Sequence, residues 1–283
     1  MKTSKKFAIA AATAAAALVF AQTPSFAAGS AAAAQLPASV KKAGVLTVGT
    51  DTTYAPNEYL DKNGKAIGWE IDLFNAIAGD LGVKANFVSA NFDTIIPAVK
   101  GGKYDVGLSS FTDTKVREAN VDFANYYVAG IQWASAAGKK AVDPNNACGL
   151  TVSAQTGSTE VDDLTAKSAA CVKAGKKPIT TLSFDDQNQA TNAVSLGRAQ
   201  ALSADSPITE DAVHRSAGKL QLDGAIYGSA PYGIATAKGS TLVKAISLAL
   251  QDLAANGTYG KILAKWGVTP GAVKSFTVDG AIN

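Results

Sequence analysis

The chain has 283 residues, of which 47 % are hydrophobic and 17 % are charged, with 26 basic and 23 acidic side chains. Three basic residues lie in an N-terminal segment that we predict to be removed, so the mature chain carries 23 side chains of each sign. A balanced charge gives no clustered basic face, which argues against nucleic acid as a partner.

Residues 1–27 have the pattern of a secretory signal peptide. Lys2, Lys5 and Lys6 precede an apolar run over 7–21, and Ser25-Phe26-Ala27 forms a small-x-small cleavage site. The run is short for a membrane span, which needs about 20 residues; the alternative is an uncleaved anchor. No cysteine sits at the cleavage site, so we expect a periplasmic or extracytoplasmic protein that is not a lipoprotein.

The mature length allows one large domain or two smaller ones. The only two cysteines are Cys148 and Cys171, and an even number in an exported chain favours a disulfide. It would close a loop of about 23 residues and stabilise the fold by about 3 kcal/mol on the chain-entropy model. The alternative is two separate thiols.

The first part of the mature chain alternates strands and helices after a loose, alanine-rich lead-in over 28–39. Asn63-Gly64 marks a hairpin turn, and a polar loop over 51–57 follows the first strand. The pattern is βαβαβ, which predicts a parallel sheet with helices on its faces. The predicted elements are strand 45–49, helix 70–81, strand 83–88, helix 92–99 and strand 105–108.

The rest of the chain repeats this pattern after a β-rich connection over 121–134 and a polar spacer over 138–146. Two closing helices and an aperiodic, extended tail over 271–283 complete the chain. The predicted elements are strands 150–154, 179–184, 199–204 and 232–236, and helices 159–174, 186–196, 208–216, 242–255 and 259–266.

The stretch 108–117, LSSFTDTKVR, stands at the end of a predicted strand and runs into a helix N-terminus. Hydroxyls and free backbone N–H groups at such a position bind anions, and the Arg117 fork matches a carboxylate. The alternative is a solvated turn with a surface arginine.

Ligands of open α/β sheets bind beyond the carboxyl ends of the strands. The loops expected there are 51–58, 109–117 and 155–159, together with Asp205. Arg117 with Ser110 and Thr112 suits a carboxylate, whereas Asp205 suits an ammonium group. Aromatic walls could come from Tyr54, Phe92 and Phe111. This set of groups fits a zwitterion and hence an amino acid.

The motifs LTVGTDTTYAPNEYLDKNGKAIGWEIDLFNAIAGDLGV, FDTIIPAVKGGKYDVGLSSFTDTKVREANVDFANYY, VSAQTGSTEVDDL, GRAQALSADSPI, YGIATAKGS and ALQDLAANGTYGKILAKWGV follow one another in the chain. Together they resemble the periplasmic polar amino-acid-binding proteins of ABC importers, solute-binding protein family 3, from about 46 to 268. The resemblance implies a type II periplasmic-binding fold of class α/β, with two lobes, each a mainly parallel sheet flanked by helices. The implied lobes are 41–129 plus 232–270 and 130–231, with hinge crossings near 129–130 and 229–232.

The resemblance also implies a monomer that captures an amino acid, polar or basic, by hinge closure and delivers it to a membrane permease. Arg117 would hold the α-carboxylate with Ser110, Thr112 and the turn Gly157-Ser158-Thr159, and Asp205 with Ser110 would hold the α-ammonium. Tyr54 and Phe92 would sandwich the side-chain stem, and Trp69 would lie in the core. The positions that vary or tune specificity are Asp51, Asn57, Glu58, Phe111 and Gln155.

Three positions depart from the family pattern. Asn57 stands where phenylalanine is frequent, Lys115 where proline is common, and Phe92 where tryptophan is frequent. These departures leave the identity of the bound side chain open, and the acidic loop residues favour a polar or basic amino acid.

Two other function classes remain possible on this fold. An exported enzyme of the dehydratase type would need a general acid, for which Glu58 or Asp51 could serve; the alternative is a sensory ligand-binding protein. The chain has no G-x-S-x-G motif, no metal-ligand spacing and no His–Cys pair. Its only histidine, His214, is predicted to lie at the surface. We therefore predict a binding protein without catalytic residues, metal or cofactor.

Overall fold

A computed structural model describes residues 30–282 of the protein. The predicted signal peptide therefore lies outside the described residues. The elements of the first part, in chain order, are α1 (Ala31–Ala34), α2 (Ala38–Ala43), β1 (Val45–Thr50), β2 (Thr53–Tyr54), β3 (Glu58–Leu60), β4 (Ala66–Ile67), α3 (Trp69–Asp80), β5 (Lys84–Ser89), α4 (Phe92–Lys100), β6 (Val106–Gly107) and α5 (Lys115–Glu118).

The second part contains the longest strands, and short 3-10 turns cover Pro144–Asn146 and Thr269–Gly271. Its elements, in chain order, are β7 (Val121–Ala136), β8 (Thr151–Gln155), α6 (Thr159–Lys173), β9 (Thr180–Phe184), α7 (Gln187–Ser195), β10 (Ala201–Asp205), α8 (Ser206–Arg215), β11 (Leu220–Ala237), α9 (Leu242–Ala255) and α10 (Thr258–Trp266).

One eight-stranded sheet has the order β5-β1-β6-β11-β7-β10-β8-β9, and β2, β3 and β4 form a small antiparallel sheet. The outer strands pair in parallel: β1 with β5 and β6, and β8 with β9 and β10. Between them, β7 and β11 run antiparallel to each other through both halves. The fold is therefore two-lobed, with each lobe a mainly parallel sheet flanked by helices and with two strands as the crossings.

The helices form where apolar residues recur at three- and four-residue spacing. In α3, Ile71, Phe74 and Ile77 are buried on one face, and the chain turns at Gly82 with a φ of 72°. The predicted strands and helices of both βα series are present within a few residues of the expected bounds. Trp69 is fully buried, as expected for a core residue.

The crossing strands are longer than the sequence indicated. The connection predicted over 121–134 is the central strand β7, and β11 begins at Leu220 rather than at Tyr232. A Cβ at Gly130 would lie 2.7 Å from Ile226 Cγ2 and from Tyr227 O, so only glycine allows β7 and β11 to approach this closely. The helix predicted to start at 208 begins at Ser206, with Asp205 as its N-cap.

The lead-in is not loose over its described part, which is a correction to the prediction. Ala32, Leu36 and Val40 are buried in the same hydrophobic cluster as Leu250 of α9. The tail is extended as predicted, and Phe276 packs into that cluster as well. The predicted lobe boundaries remain a proposal, and this packing favours the inclusion of residues 30–40 and 272–282 in lobe I.

The second lobe has its own buried clusters and the disulfide. Cys148 and Cys171 are bonded, with a sulfur–sulfur distance of 2.01 Å, as predicted. Both lie in the cluster that contains Trp133 and Leu164.

Candidate functional site

The stretch 108–117 runs from the end of β6 through a loop into α5. Thr114 caps the short helix α5, since its side-chain oxygen accepts a hydrogen bond from Arg117 N at 3.2 Å. Ser110 adopts a φ of 50°, a left-handed conformation that is uncommon for a residue other than glycine. The predicted course from a strand into a helix N-terminus is confirmed.

Arg117 reaches from this loop to the opposite lobe. Its guanidinium donates hydrogen bonds to Thr112 O at 2.8 Å and to Gly157 O at 3.1 Å. Its Cζ lies 5.4 Å from the ring centroid of Phe92 and 5.6 Å from that of Phe111, and the two rings stack at 4.7 Å. Within the described residues, no carboxylate forms an ion pair with Arg117. An anion from outside the chain could therefore pair with it.

Asp205 faces the same cleft from lobe II. It ends β10, is only 7 % exposed, and accepts a 2.8 Å hydrogen bond from the hydroxyl of Tyr54. Burial raises the pKa of Asp205 well above its ordinary value, and the nearby Glu160 adds to this shift. A buried carboxylate of this kind is stabilised in its charged form by a cation, such as an ammonium group.

Asp51 forms a second acidic position across the cleft. The residue is 2 % exposed. Its Oδ1 accepts a hydrogen bond from Thr53 N at 2.9 Å, and its Oδ2 accepts one from the side-chain amide of Gln155 in lobe II at 2.5 Å. Burial raises the pKa of Asp51. A cavity of about 600 Å³ adjoins Asp51 and also contains the carboxylates of Asp185 and Asp186, with no basic side chain in its lining.

The serines of the loop rest on two buried glutamates. Ser110 donates two hydrogen bonds to the Glu70 carboxylate, from Oγ at 2.7 Å and from its backbone N at 3.1 Å. Ser109 Oγ donates a hydrogen bond to Glu58 at 2.9 Å. Burial raises the pKa of Glu58 well above its ordinary value, and the neighbouring Glu70 raises it further. Asn57 donates to Ser110 Oγ at 2.8 Å, so it supports the loop through its amide.

The two lobes touch along the cleft. The hydroxyls of Thr112 and Thr159 are 3.4 Å apart, and Thr53 Oγ1 accepts from Gln187 N at 3.1 Å. Tyr54 packs into the lobe II cluster that contains Ile208. The cleft is therefore closed in this structure. Of the residues predicted to bind ligand, direct contacts join Arg117, Phe92, Phe111, Thr112, Gly157 and Thr159, join Tyr54 with Asp205, and join Asp51 with Gln155. Ser158 lies in the turn between Gly157 and Thr159, whereas Ser110 is bonded to Glu70 and Asn57.

Comparison with known proteins decides the family. The family model of the bacterial extracellular solute-binding proteins, family 3, matches residues 46–269, which is most of the chain. This chain belongs to that family.

The solute-binding protein is 42 % identical over 248 residues to the arginine-binding protein ArgT of Corynebacterium glutamicum, with 87 % of this chain and 82 % of that protein covered. It is also similar to two solved structures. An ancestral arginine-binding protein bound to arginine is 35 % identical with a TM-score of 0.73, and 79 % of this chain and 98 % of that chain are covered. An ancestral arginine-binding protein bound to glutamine is 34 % identical with a TM-score of 0.74, and 80 % of this chain and 98 % of that chain are covered.

These relatives of the solute-binding protein are named as binding proteins. Among residues 30–282, no group of three or more potential ligands could hold a metal ion. No helix in the same range is long and apolar enough to cross a membrane.

Sequence reasoning missed several buried polar groups at the site. Glu70 and Glu160 lie in the first turns of α3 and α6, where carboxylates are favoured, so each had an ordinary structural explanation. Gln187 is 2 % exposed, and neither atom of its amide has a hydrogen-bond partner in the described part of the chain. The sequence suggested Glu58 as a position that tunes specificity or as a general acid, and its complete burial was not foreseen.

Proposed function

We propose that this solute-binding protein captures a basic amino acid, with L-arginine as the preferred ligand, by closure of its two lobes. One observation carries the proposal. Arg117 of lobe I, without a carboxylate partner among the described residues, stands in one cleft with the buried carboxylates Asp205 and Asp51. A carboxylate and two cationic groups on one small molecule would complement this arrangement.

The α-groups of the ligand would be held by residues from both lobes. Arg117 would bind the α-carboxylate, with Thr112, Ser110 and the turn 157–159 beside it. Asp205 would bind the α-ammonium, since no basic side chain of the described residues forms an ion pair with its buried carboxylate. Burial of two charged ends is tolerated only when each is paired and hydrogen-bonded, which favours closure around a zwitterion.

The side chain of the ligand would extend between Phe92, Phe111 and Tyr54 towards Asp51 and Gln155. The adjoining cavity holds Asp185 and Asp186 and therefore favours a cationic group. The acidic charge suits a guanidinium better than the neutral amide of glutamine. The names of the relatives support arginine, and the glutamine-bound ancestral structure makes glutamine the most informative competitor.

We further propose that the protein acts outside the cytoplasm after cleavage following residue 27, without a lipid anchor, and as a monomer. The closed form would dock on the permease of an ABC importer, which would receive the amino acid. The lobe boundaries near 129–130 and 229–232 would serve as the hinge, with β7 and β11 as the moving strands.

A thermal-shift screen tests the ligand. The panel contains the twenty amino acids, ornithine, citrulline and opines, followed by titration calorimetry of the best binders. A ligand at 100 times its Kd stabilises the protein by about 2.7 kcal/mol, so we expect arginine to raise the Tm most. A glutamine shift equal to that of arginine would contradict the basic specificity. No shift with any amino acid would overturn the function.

A further inference from the structure

Glu160 is a buried carboxylate at the cleft to which the proposed function gives no role. It occupies the first turn of α6, directly after Thr159, whose hydroxyl meets that of Thr112 across the cleft. Its residue surface is 1 % exposed, and its Oε1 has no hydrogen-bond partner in the described structure. An unpaired buried charge is costly, so such a group either meets a cation or becomes neutral.

The charged and titratable groups around Glu160 come from several elements. Arg117 of α5 favours the charged form of Glu160, and Lys167 of α6 pairs with Asp163 beside it. Burial nevertheless raises the pKa of Glu160, because desolvation outweighs the hydrogen bonds from its own backbone N–H and from Ser158 and the attraction of Arg117. The groups that face it are Arg117, Tyr54 of β2, Asp163 of α6 itself, Asp205 of β10 and Tyr227 of β11.

The charges at this end of the site do not balance when a ligand is bound. An α-carboxylate would neutralise Arg117, and an α-ammonium would neutralise Asp205. Glu160 would then remain as a second buried carboxylate with no cation of its own. Tyr54 and Tyr227 have raised pKa values and stay neutral near pH 7, so they offer no compensating charge.

We propose that Glu160 takes up one proton from solvent when the lobes close on the ligand, so that amino-acid capture is coupled to protonation of this carboxylate. The proposal rests on the proposed function. In the open form that the proposed function requires, the carboxyl would be hydrated and would keep an ordinary affinity for protons. Closure removes water from the carboxyl and favours its neutral, protonated form.

The direction of the pH dependence follows from linkage. The bound form holds more protons than the free form, so ligand affinity decreases as pH rises from the free-state pKa of Glu160 to its bound-state value. One linked proton limits the decrease to about tenfold per pH unit. Above the bound-state value, the affinity becomes constant. Asp205 is expected to contribute little, because the ligand ammonium keeps it ionised.

Calorimetry measures this proton directly. L-Arginine is titrated into the full-length mature protein at several pH values between about 5 and 8, each in two buffers that differ in ionisation enthalpy. The difference in observed enthalpy gives the number of protons taken up. We expect uptake that approaches one proton in the wild type, no uptake in Glu160→Gln, and retained uptake in Glu160→Asp.

Asp162→Asn is the matched control, because Asp162 is an exposed carboxylate on the same helix and should leave the uptake unchanged. Equal uptake in the wild type and in Glu160→Gln would overturn the assignment, as would the absence of uptake in the wild type at every pH. If Glu160→Gln does not fold, a carbon-13 NMR titration of the glutamate carboxyls in the arginine-bound wild type decides the question. There, a Glu160 carboxyl that stays ionised throughout would overturn it.

The proton-uptake titration and the ligand screen test different claims, and their failures can be told apart. If L-arginine does not bind, the proposed specificity fails, and the amino acid with the largest thermal shift replaces it in the same titration. If L-arginine binds without proton uptake, the specificity stands and only the role of Glu160 is lost.

Discussion

The hydroxyl of Tyr54 donates a 2.8 Å hydrogen bond to Asp205 Oδ2, and this bond joins the two lobes across the cleft. Tyr54 follows β1 in lobe I, whereas Asp205 ends β10 in lobe II. Both residues are buried in the closed structure. The bond therefore exists only when the lobes are closed, which links it to ligand affinity rather than to the stability of either lobe.

Tyr54→Phe should weaken arginine binding by roughly tenfold. A hydrogen bond to a charged group contributes about 1.5 kcal/mol at the lower end of its range. The ring remains and keeps its packing, so the Tm of the unliganded protein should change little. Titration calorimetry and thermal unfolding measure the two quantities. Unchanged affinity would show that closure does not depend on this bond.

Arg117→Ala should reduce arginine affinity by more than about 100-fold, because a charge-assisted, two-pronged contact to the α-carboxylate is lost. Arg117→Lys should recover only part of the affinity, since an ammonium group cannot form the fork. Arg215→Ala is the control, as Arg215 is exposed on α8 and pairs with Asp211. Micromolar binding in a folded Arg117→Ala protein would exclude the carboxylate role.

Asp205→Asn should remove the preference for ligands that carry an α-ammonium. The test compares L-arginine with 5-guanidinopentanoic acid, which lacks the α-amino group, in the wild type and in the variant. We expect strong discrimination in the wild type and little in Asp205→Asn, because the buried carboxylate is the cation partner. Equal affinity for both compounds in the wild type contradicts the assignment.

Asp51→Asn should lower arginine affinity by about 10- to 100-fold and leave glutamine affinity nearly unchanged. A buried carboxylate interacts strongly with a cationic side chain in a low-dielectric site, whereas a neutral amide gains little from it. Asp252→Asn, an exposed change on α9, provides the charge-matched control. An equal loss for both ligands would mean that Asp51 shapes the cleft instead of selecting charge.

Replacement of Cys148 and Cys171 by alanine should lower the free energy of unfolding by about 3 kcal/mol, because the disulfide closes a loop of 23 residues. Arginine affinity should not change, since the disulfide lies in a lobe II cluster apart from the residues of the cleft. Denaturant unfolding measures the first effect and calorimetry the second. Two free thiols in mass spectrometry of the unreduced protein would contradict the bond itself.

The sequence by itself determined most of the elements and the family. The apolar spacing of α3, the β-branched run of β1 and the glycine at position 82 are local signals, and their physics acts within one turn or one strand. The motif around Arg117 also indicated an anion site, since it places several hydroxyl groups and a guanidinium, which bind anions, within ten residues. The disulfide followed from an even cysteine count in an exported chain.

The tertiary structure decided what depends on distant partners. Residues 220–231 contain glycines and polar residues without alternation, so β11 forms there only because β7 offers hydrogen-bond partners. The alanine-rich lead-in becomes helical because Ala32 and Val40 bury against the core. Glu160 and Glu70 both stand where carboxylates are common, in the first turn of a helix. Glu160 is seen to belong to the site only because the lobes are closed, and Glu70 only because it is buried beneath Ser110. Burial and pairing across 40 or more residues of chain have no local signature, because they arise from the free energy of packing rather than from local backbone preference.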